Sequence, residues 1–427
     1  MNVFRDGTPD ASRPQPLSRG GALDGLRFLA AFCMVIHHYS AESPIPLPRL
    51  HPVFERGYLA TDFFLIVSGY VMARIYGQRV VDGRVGTGLF FLRRASRVVP
   101  AHLMMSAAFV IAVLAATAAG VRPLHPEWFD WRELPGQVFL VQALGPFGGK
   151  GWNAPVWSLS ALMVCYLAFP SLWRAMRRIQ SPVMAIALGL LGLAAADVLA
   201  RRFLGYPIYQ MPMQDGAIRA LPLFFLGAAL AICAETLIIP RWAAILLGLV
   251  SFGLLAGLQA AGRYDFLSVT LIAAMVLAAG AAPVRKPSKI LEKAALVSFA
   301  LFVTSEFVRV IYFGVDHALS ARFGLGQTAQ WAIWFGGLAV AVLFAVAFHY
   351  LVDWPSQAVI KPWTAKAPAL LKRGLAGFIQ VPDPNFDPFG TAGAGGPRVR
   401  EILLQIGPRP GAAHRRAAER RPELGWG

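Results

Sequence analysis

Apolar residues in this chain come in long unbroken stretches, separated by short polar and basic connections. Runs of roughly 17 to 25 residues, the length that carries a helix across about 30 Å of hydrocarbon, fall near 24–41, 58–77, 98–119, 154–173, 182–200, 217–236, 240–261, 264–283, 296–315 and 330–352. The runs do not alternate between polar and apolar residues, which argues against the short strands of a closed barrel. The pattern predicts an all-α integral membrane protein with about ten transmembrane helices. Segment 1–21 is polar and Pro-rich, with no cleavable signal, so the first span is expected to act as the insertion signal. Residues 22–360 make up the membrane domain. The remainder, 361–427, turns to Pro, Gly and Arg, as in "DPNFDPFGTAGAGGPRVR", and is expected to be a largely disordered tail. No internal repeat is visible.

Composition agrees with this pattern. Of 427 residues, 56% are hydrophobic and 15% charged, and the mean hydropathy is +0.53. That is too apolar for a soluble protein of this length. The formal charge of +17 raises the question of nucleic acid, but no nucleic-acid motif appears and the basic residues segregate by loop. Arg5, Arg13 and Arg19 precede the first span. Arg79, Arg84, Arg93, Arg94 and Arg97 lie between the second and third, Arg174, Arg177 and Arg178 follow the fourth, and Arg285, Lys286, Lys289 and Lys293 precede the ninth. All these loops share one side, which the positive-inside rule makes cytoplasmic. Both termini are therefore expected inside, with the excess charge facing an anionic leaflet. Arg201 and Arg202 are the clear exception. Cys33, Cys165 and Cys233 fall inside spans without metal-type spacing and read as small packing residues.

The first span, "LRFLAAFCMVIHHYS", carries Arg27 at its inner end and His37 and His38 at its outer end. Eleven residues at 100° each amount to about three turns plus 20°, so Arg27 and His38 share a face about 16 Å apart, whereas His37 points about 100° away. Alone, such a histidine is more often an interfacial group, or one hydrogen-bonded to a neighbour, than a catalytic one. The second span places Asp62 at the depth of His38, where a carboxylate can orient the ring and leave one nitrogen free as a base. The approach to the third span, "FFLRRASRVVPAH", sets Arg94 and Arg97 three apart. Such paired guanidinium forks suit phosphate, and the same charges also fit a simple cytoplasmic flank. Pro100 is expected in the first turn of that helix.

These residues resemble the family 3 membrane acyltransferases, which O-acylate surface polysaccharides and related hydroxylated substrates. The resemblance runs from about residue 22 to 360. It rests on "LDGLRFLAAFCMVIHHYS", with a basic residue, ten positions and then histidine; on "DFFLIVSGYVM"; on "LRRASRVVPAH" with its Arg-x-x-Arg; on "APVWSLSALMVCYLAFP"; and on "FHYLVDWPSQ" with its acidic-x-Pro. Two positions depart from the family pattern. Leu162 stands where many relatives have Glu, and Ser305 stands where many have His, with Glu306 beside it. Glu306 and Arg309, three apart, are also expected to pair with each other.

The resemblance implies transfer of an acyl group, expected to be acetyl, from cytoplasmic acyl-CoA to a hydroxyl of a cell-surface or exported polysaccharide or glycolipid, in a bacterial inner (plasma) membrane. His38 and Asp62 would be catalytic. Arg27, Arg94 and Arg97 would hold the acyl-CoA phosphates, and Trp157, Ser158 and Glu306 would meet the acceptor. No metal and no bound cofactor are expected, and oligomeric state is left open. Two other classes remain: a transporter of a lipid-linked or anionic substrate, and a degenerate non-catalytic membrane partner.

Overall fold

The computed structural model of the protein describes residues 20–362, apart from Arg122, residues 146–150, Ile238, Pro283 and Arg285. Most of the polar N-terminal segment and the tail expected to be disordered lie outside the described residues. Among the described residues the chain is helical, with no strand. Ten long helices are α1 (Ala22–Tyr39), α2 (Leu59–Val81), α3 (Thr87–Ala118), α4 (Trp157–Met176), α5 (Pro182–Phe203), α6 (Gly216–Thr236), α7 (Arg241–Ala261), α8 (Asp265–Ala281), α9 (Lys289–Phe323) and α10 (Gln327–Phe348). Each overlaps one apolar run. Eight are long and apolar enough to cross a membrane; α1, with Asp24 and Arg27 in its first two turns, and the 17-residue α8 are not among those eight.

The largest differences from the sequence pattern occur where helices continue through charge. α3 has 32 residues and starts at Thr87, well before its apolar run, because "LFFLRRASR" contains good helix formers despite its charge. Pro100 therefore lies in the helix interior and not in the first turn as expected. α9 extends to 35 residues by the same means.

The central seam of the fold is α2 against α6. Gly69 of α2 and Gly227 of α6 make it possible: a Cβ on Gly69 would stand 1.8 Å from the Phe224 carbonyl oxygen, and one on Gly227 would stand 1.9 Å from that of Ile66. Two backbones in direct contact gain dispersion energy that lipid does not offer, the usual use of small residues between membrane helices. α4 and α8 each pack on both helices of this seam, whereas α5 and α7 lie at the periphery. On α7 only Ala244 and Ser251 are buried, and Leu246, Leu249 and Leu254 point outward. Apolar surface of this extent calls for a lipid environment.

After α10 the helix widens to a π-turn over His349–Asp353 and then continues to Pro362. Such turns redirect side chains and recur at functional sites. Here the turn buries Asp353.

Candidate active site

α1 buries Ala31, Met34 and Val35 and packs chiefly on α9. Its outer end is tied down twice: the Tyr39 hydroxyl donates to the Ser305 carbonyl at 2.8 Å, and the Trp334 indole donates to the Tyr39 carbonyl at 2.8 Å. His38 sits just inside this tie. Its Nδ1 is buried and has no hydrogen-bond partner among the described residues, and the carboxylate with the strongest electrostatic influence on the ring is Glu306. A buried imidazole nitrogen left unpaired costs free energy, and such strain persists mainly where a function uses it.

Arg27, Arg94 and Arg97 converge on one cavity of about 260 Å³. Ser158, Leu162 and Tyr166 of α4, Ser298 of α9, and Thr61 and Met34 complete its wall. Met34 is one turn before His38 and on the same face, so the cavity runs from Arg27, near the N-terminal end of α1, to the turn below the histidine. Arg94 donates to the Tyr76 hydroxyl at 2.7 Å, with its guanidinium 4.8 Å from that ring. Its Nε is buried without a hydrogen-bond partner among the described residues. Arg27 makes one weak pair, 3.5 Å to Asp24.

Arg97 is placed differently. Its fork donates to both oxygens of Asp353, at 2.6 and 3.1 Å, and His349 lies 3.1 Å from the same carboxylate. Four residues further on, Gln357 donates to the carbonyls of Ser96 and Arg97 at 3.2 Å each. The first of these is the acceptor that Pro100, lacking N–H, leaves unbonded in the helix ladder. The segment after α10 therefore closes over the proline defect of α3 and holds its arginine. Sequence reasoning noticed the acidic-x-Pro motif but had no means of pairing it with a residue 256 positions earlier.

Asp62 is fully buried, but its carboxylate accepts from Arg219 of α6 at 2.8 Å. The expected orienting pair with His38 is therefore corrected: no hydrogen bond joins them among the described residues, and Asp62 serves the α2–α6 seam. Removing one member of such a buried pair typically costs 3–5 kcal/mol, roughly, because the other charge is stranded. Glu306 forms the expected pair with Arg309, at 2.6 and 3.1 Å. Arg309 also reaches Glu42 at 2.6 Å and lies 4.8 Å from the Trp128 ring. Ser158 is buried in the cavity wall and donates to the Pro155 carbonyl at 3.3 Å. Trp157 packs beside Arg219 and against Gly216. Leu162 presents an apolar surface to the cavity. Among the described residues no cluster of three metal-type ligands occurs.

A multi-pass helical protein with a basic cavity below a buried histidine defines a class of membrane-embedded group-transfer proteins. The chain belongs to the family 3 acyltransferases: the model of that acyltransferase domain matches residues 21–350. It is 30% identical over 192 residues to acyltransferase MdmB of Streptomyces mycarofaciens, covering 43% of this chain and 46% of that protein. It is 26% identical over 200 residues to protein 2 in the picA locus of Rhizobium radiobacter, covering 43% of this chain and 97% of the relative. The match thus spans less than half of MdmB. No solved structure matches.

Proposed function

We propose that the protein transfers an acyl group, acetyl in the simplest case, from acyl-CoA to a hydroxyl of a cell-surface or exported polysaccharide or glycolipid. The observation that carries this reading is the single cavity joining Arg27, Arg94 and Arg97 to the turn below His38. Its arginines match phosphate, and about 16 Å of helix between Arg27 and His38 is comparable to the reach of a pantetheine arm.

Arg94 and Arg27 hold the donor phosphates. Arg97, latched by Asp353, shapes the mouth and adds positive potential. His38 accepts the proton of the acceptor hydroxyl as its oxygen attacks the thioester carbonyl. The C–O bond forms, the C–S bond breaks, and the imidazolium returns its proton to the departing thiolate. Nearby Glu306 stabilises the transient imidazolium.

The ten long helices, with basic residues at alternate loops, support ten spans with both termini inside. The family and two bacterial relatives support placement in a bacterial plasma membrane. Transfer then runs from a cytoplasmic donor to an acceptor at the outer face.

The test is incubation of purified protein with radiolabelled acetyl-CoA and membrane extract, comparing wild type with His38→Ala. Label appears in a glycan or glycolipid fraction only with His38 intact. Label retained on the protein without acceptor identifies an acyl-imidazole intermediate in place of a general base.

A further inference from the structure

Arg201 breaks the charge rule that orders the other loops, and the structure gives it a setting. It lines a polar cavity of about 550 Å³ at the end of the molecule where α1 terminates, together with Arg56, Arg263, Asp197, Asp265 and Tyr209. Both acids are already engaged. Asp197 accepts from Arg201 and from the Ile208 amide, at 2.9 Å each, and Asp265 accepts from Arg56 and Tyr58. Arg263 has no carboxylate partner among the described residues and is exposed to the cavity. Three guanidiniums against two carboxylates leave the chamber net positive. Tyr209 in its wall is 1% exposed, and its hydroxyl has no hydrogen-bond partner among the described residues. An unpaired buried donor beside unmatched positive charge is complementary to an anion with several acceptor oxygens.

Arg56 also lines a second cavity, of about 260 Å³, between α1, α2, α7 and α8. That groove is apolar except at the Arg56 end, where His37 and Gln259 sit; its walls include Cys33, Phe63, Leu255 and Ile272. It has room for a single hydrocarbon chain and not for a pair. A positive polar chamber and an apolar groove meeting at one arginine have the shape of an amphiphile.

We propose that the two cavities form one site for a single-chain anionic lipid. The phosphate of a lipid-carried glycan acceptor lies among Arg56, Arg201 and Arg263, within reach of the Tyr209 hydroxyl, and its polyprenyl-type tail lies in the groove. Gly57 packs directly on the His37 ring, so the phosphate position is one residue from the helix end that carries His38. The identity of the ligand as an acceptor rests on the acyltransferase reading, whereas binding itself does not.

The test uses the full chain in phosphatidylcholine nanodiscs, radiolabelled polyprenyl phosphate as probe, and no acyl donor. Saturable binding is expected. Arg263→Gln and Ala256→Phe, the latter filling the groove from peripheral α7, each weaken it by about tenfold or more, and Tyr209→Phe by about fivefold. Thermal unfolding confirms that the variants are folded, and the removal of one hydroxyl in Tyr209→Phe keeps the test valid should a bulkier change not fold. Unchanged binding in all three variants overturns the proposal. So does displacement of the probe mole for mole by phosphatidylglycerol, which makes it a generic anionic-lipid surface, or by inorganic phosphate, which removes the tail. His38→Ala should bind the probe normally, so loss of acyl transfer and loss of lipid binding are read separately.

Discussion

Two cavities of about 260 Å³ each flank α1, and they differ in almost everything except volume. One has three arginines and three serines in its wall; the other is nearly all apolar, with polar groups gathered at a single end. The helix between them gives Arg27 and Met34 to the first and Leu29, Cys33 and His37 to the second. At 100° per residue, the opposite faces of the helix serve different chambers. The neighbouring histidines are thereby sorted: His37 enters the apolar groove, with its Nδ1 3.3 Å from the Phe54 carbonyl oxygen, while His38 lies above the basic cavity with one nitrogen unpaired. A short sequence doublet thus divides between two sites.

The division is most severely tested by the histidines. His38→Ala is expected to lower transfer by about 10² to 10⁴, the usual weight of a general base, whereas His37→Ala, which touches only the apolar groove, leaves kcat at saturating acceptor within about twofold of wild type. Activity assays on folded protein decide it, and equal activity of His38→Ala and wild type would remove the enzymatic assignment. Next in size is Arg94→Ala, expected to raise KM for acetyl-CoA by about 1.5–3 kcal/mol equivalent with little change in kcat. A pure topology flank would instead alter membrane insertion, read by cysteine labelling of 121–152 from outside and of 79–92 from inside.

Arg97→Ala separates the two roles of the arginine cluster. Its fork belongs to Asp353, so the variant should lose stability, about 1–3 kcal/mol given that Arg97 is a third exposed, more than donor affinity. Adding Asp353→Asn should restore part of that loss, measured by thermal unfolding. The smallest effect is expected in the opposite chamber, where Cys33→Phe narrows the apolar groove and leaves KM for acetyl-CoA unchanged. A donor defect in that variant would merge the two cavities into one functional unit.

The helices and the faces of α1 were legible in the sequence because both follow from local periodicity: apolar run length for the spans, and a rotation of 100° per residue for Arg27, His38 and His37. Residues pairing across the bundle were not. Asp62 sat at the right depth for His38, but depth is one coordinate of three, and the lateral position of Arg219, 157 residues away, decided its partner. Pro100 was misplaced because a charged helix start leaves no apolar signal. Glu306 and Arg309 were read correctly as a pair, being three apart in one helix, yet Glu42 joins them from the loop after α1, a contact no periodicity reports.

The latch between Arg97 and Asp353 also has a timetable. The arginine is synthesised 256 residues before the carboxylate that holds it, with seven helices made in between. At translation rates of roughly 5–20 residues per second, Arg97 is made on the order of ten to fifty seconds before its carboxylate partner. A chain that stops before Asp353 carries the histidine and the arginines but lacks both the clamp on Arg97 and the Gln357 seal over Pro100. The last helical segment thus completes this part of the fold, and a truncation series ending on either side of Asp353 is expected to show a step in thermal stability at that position.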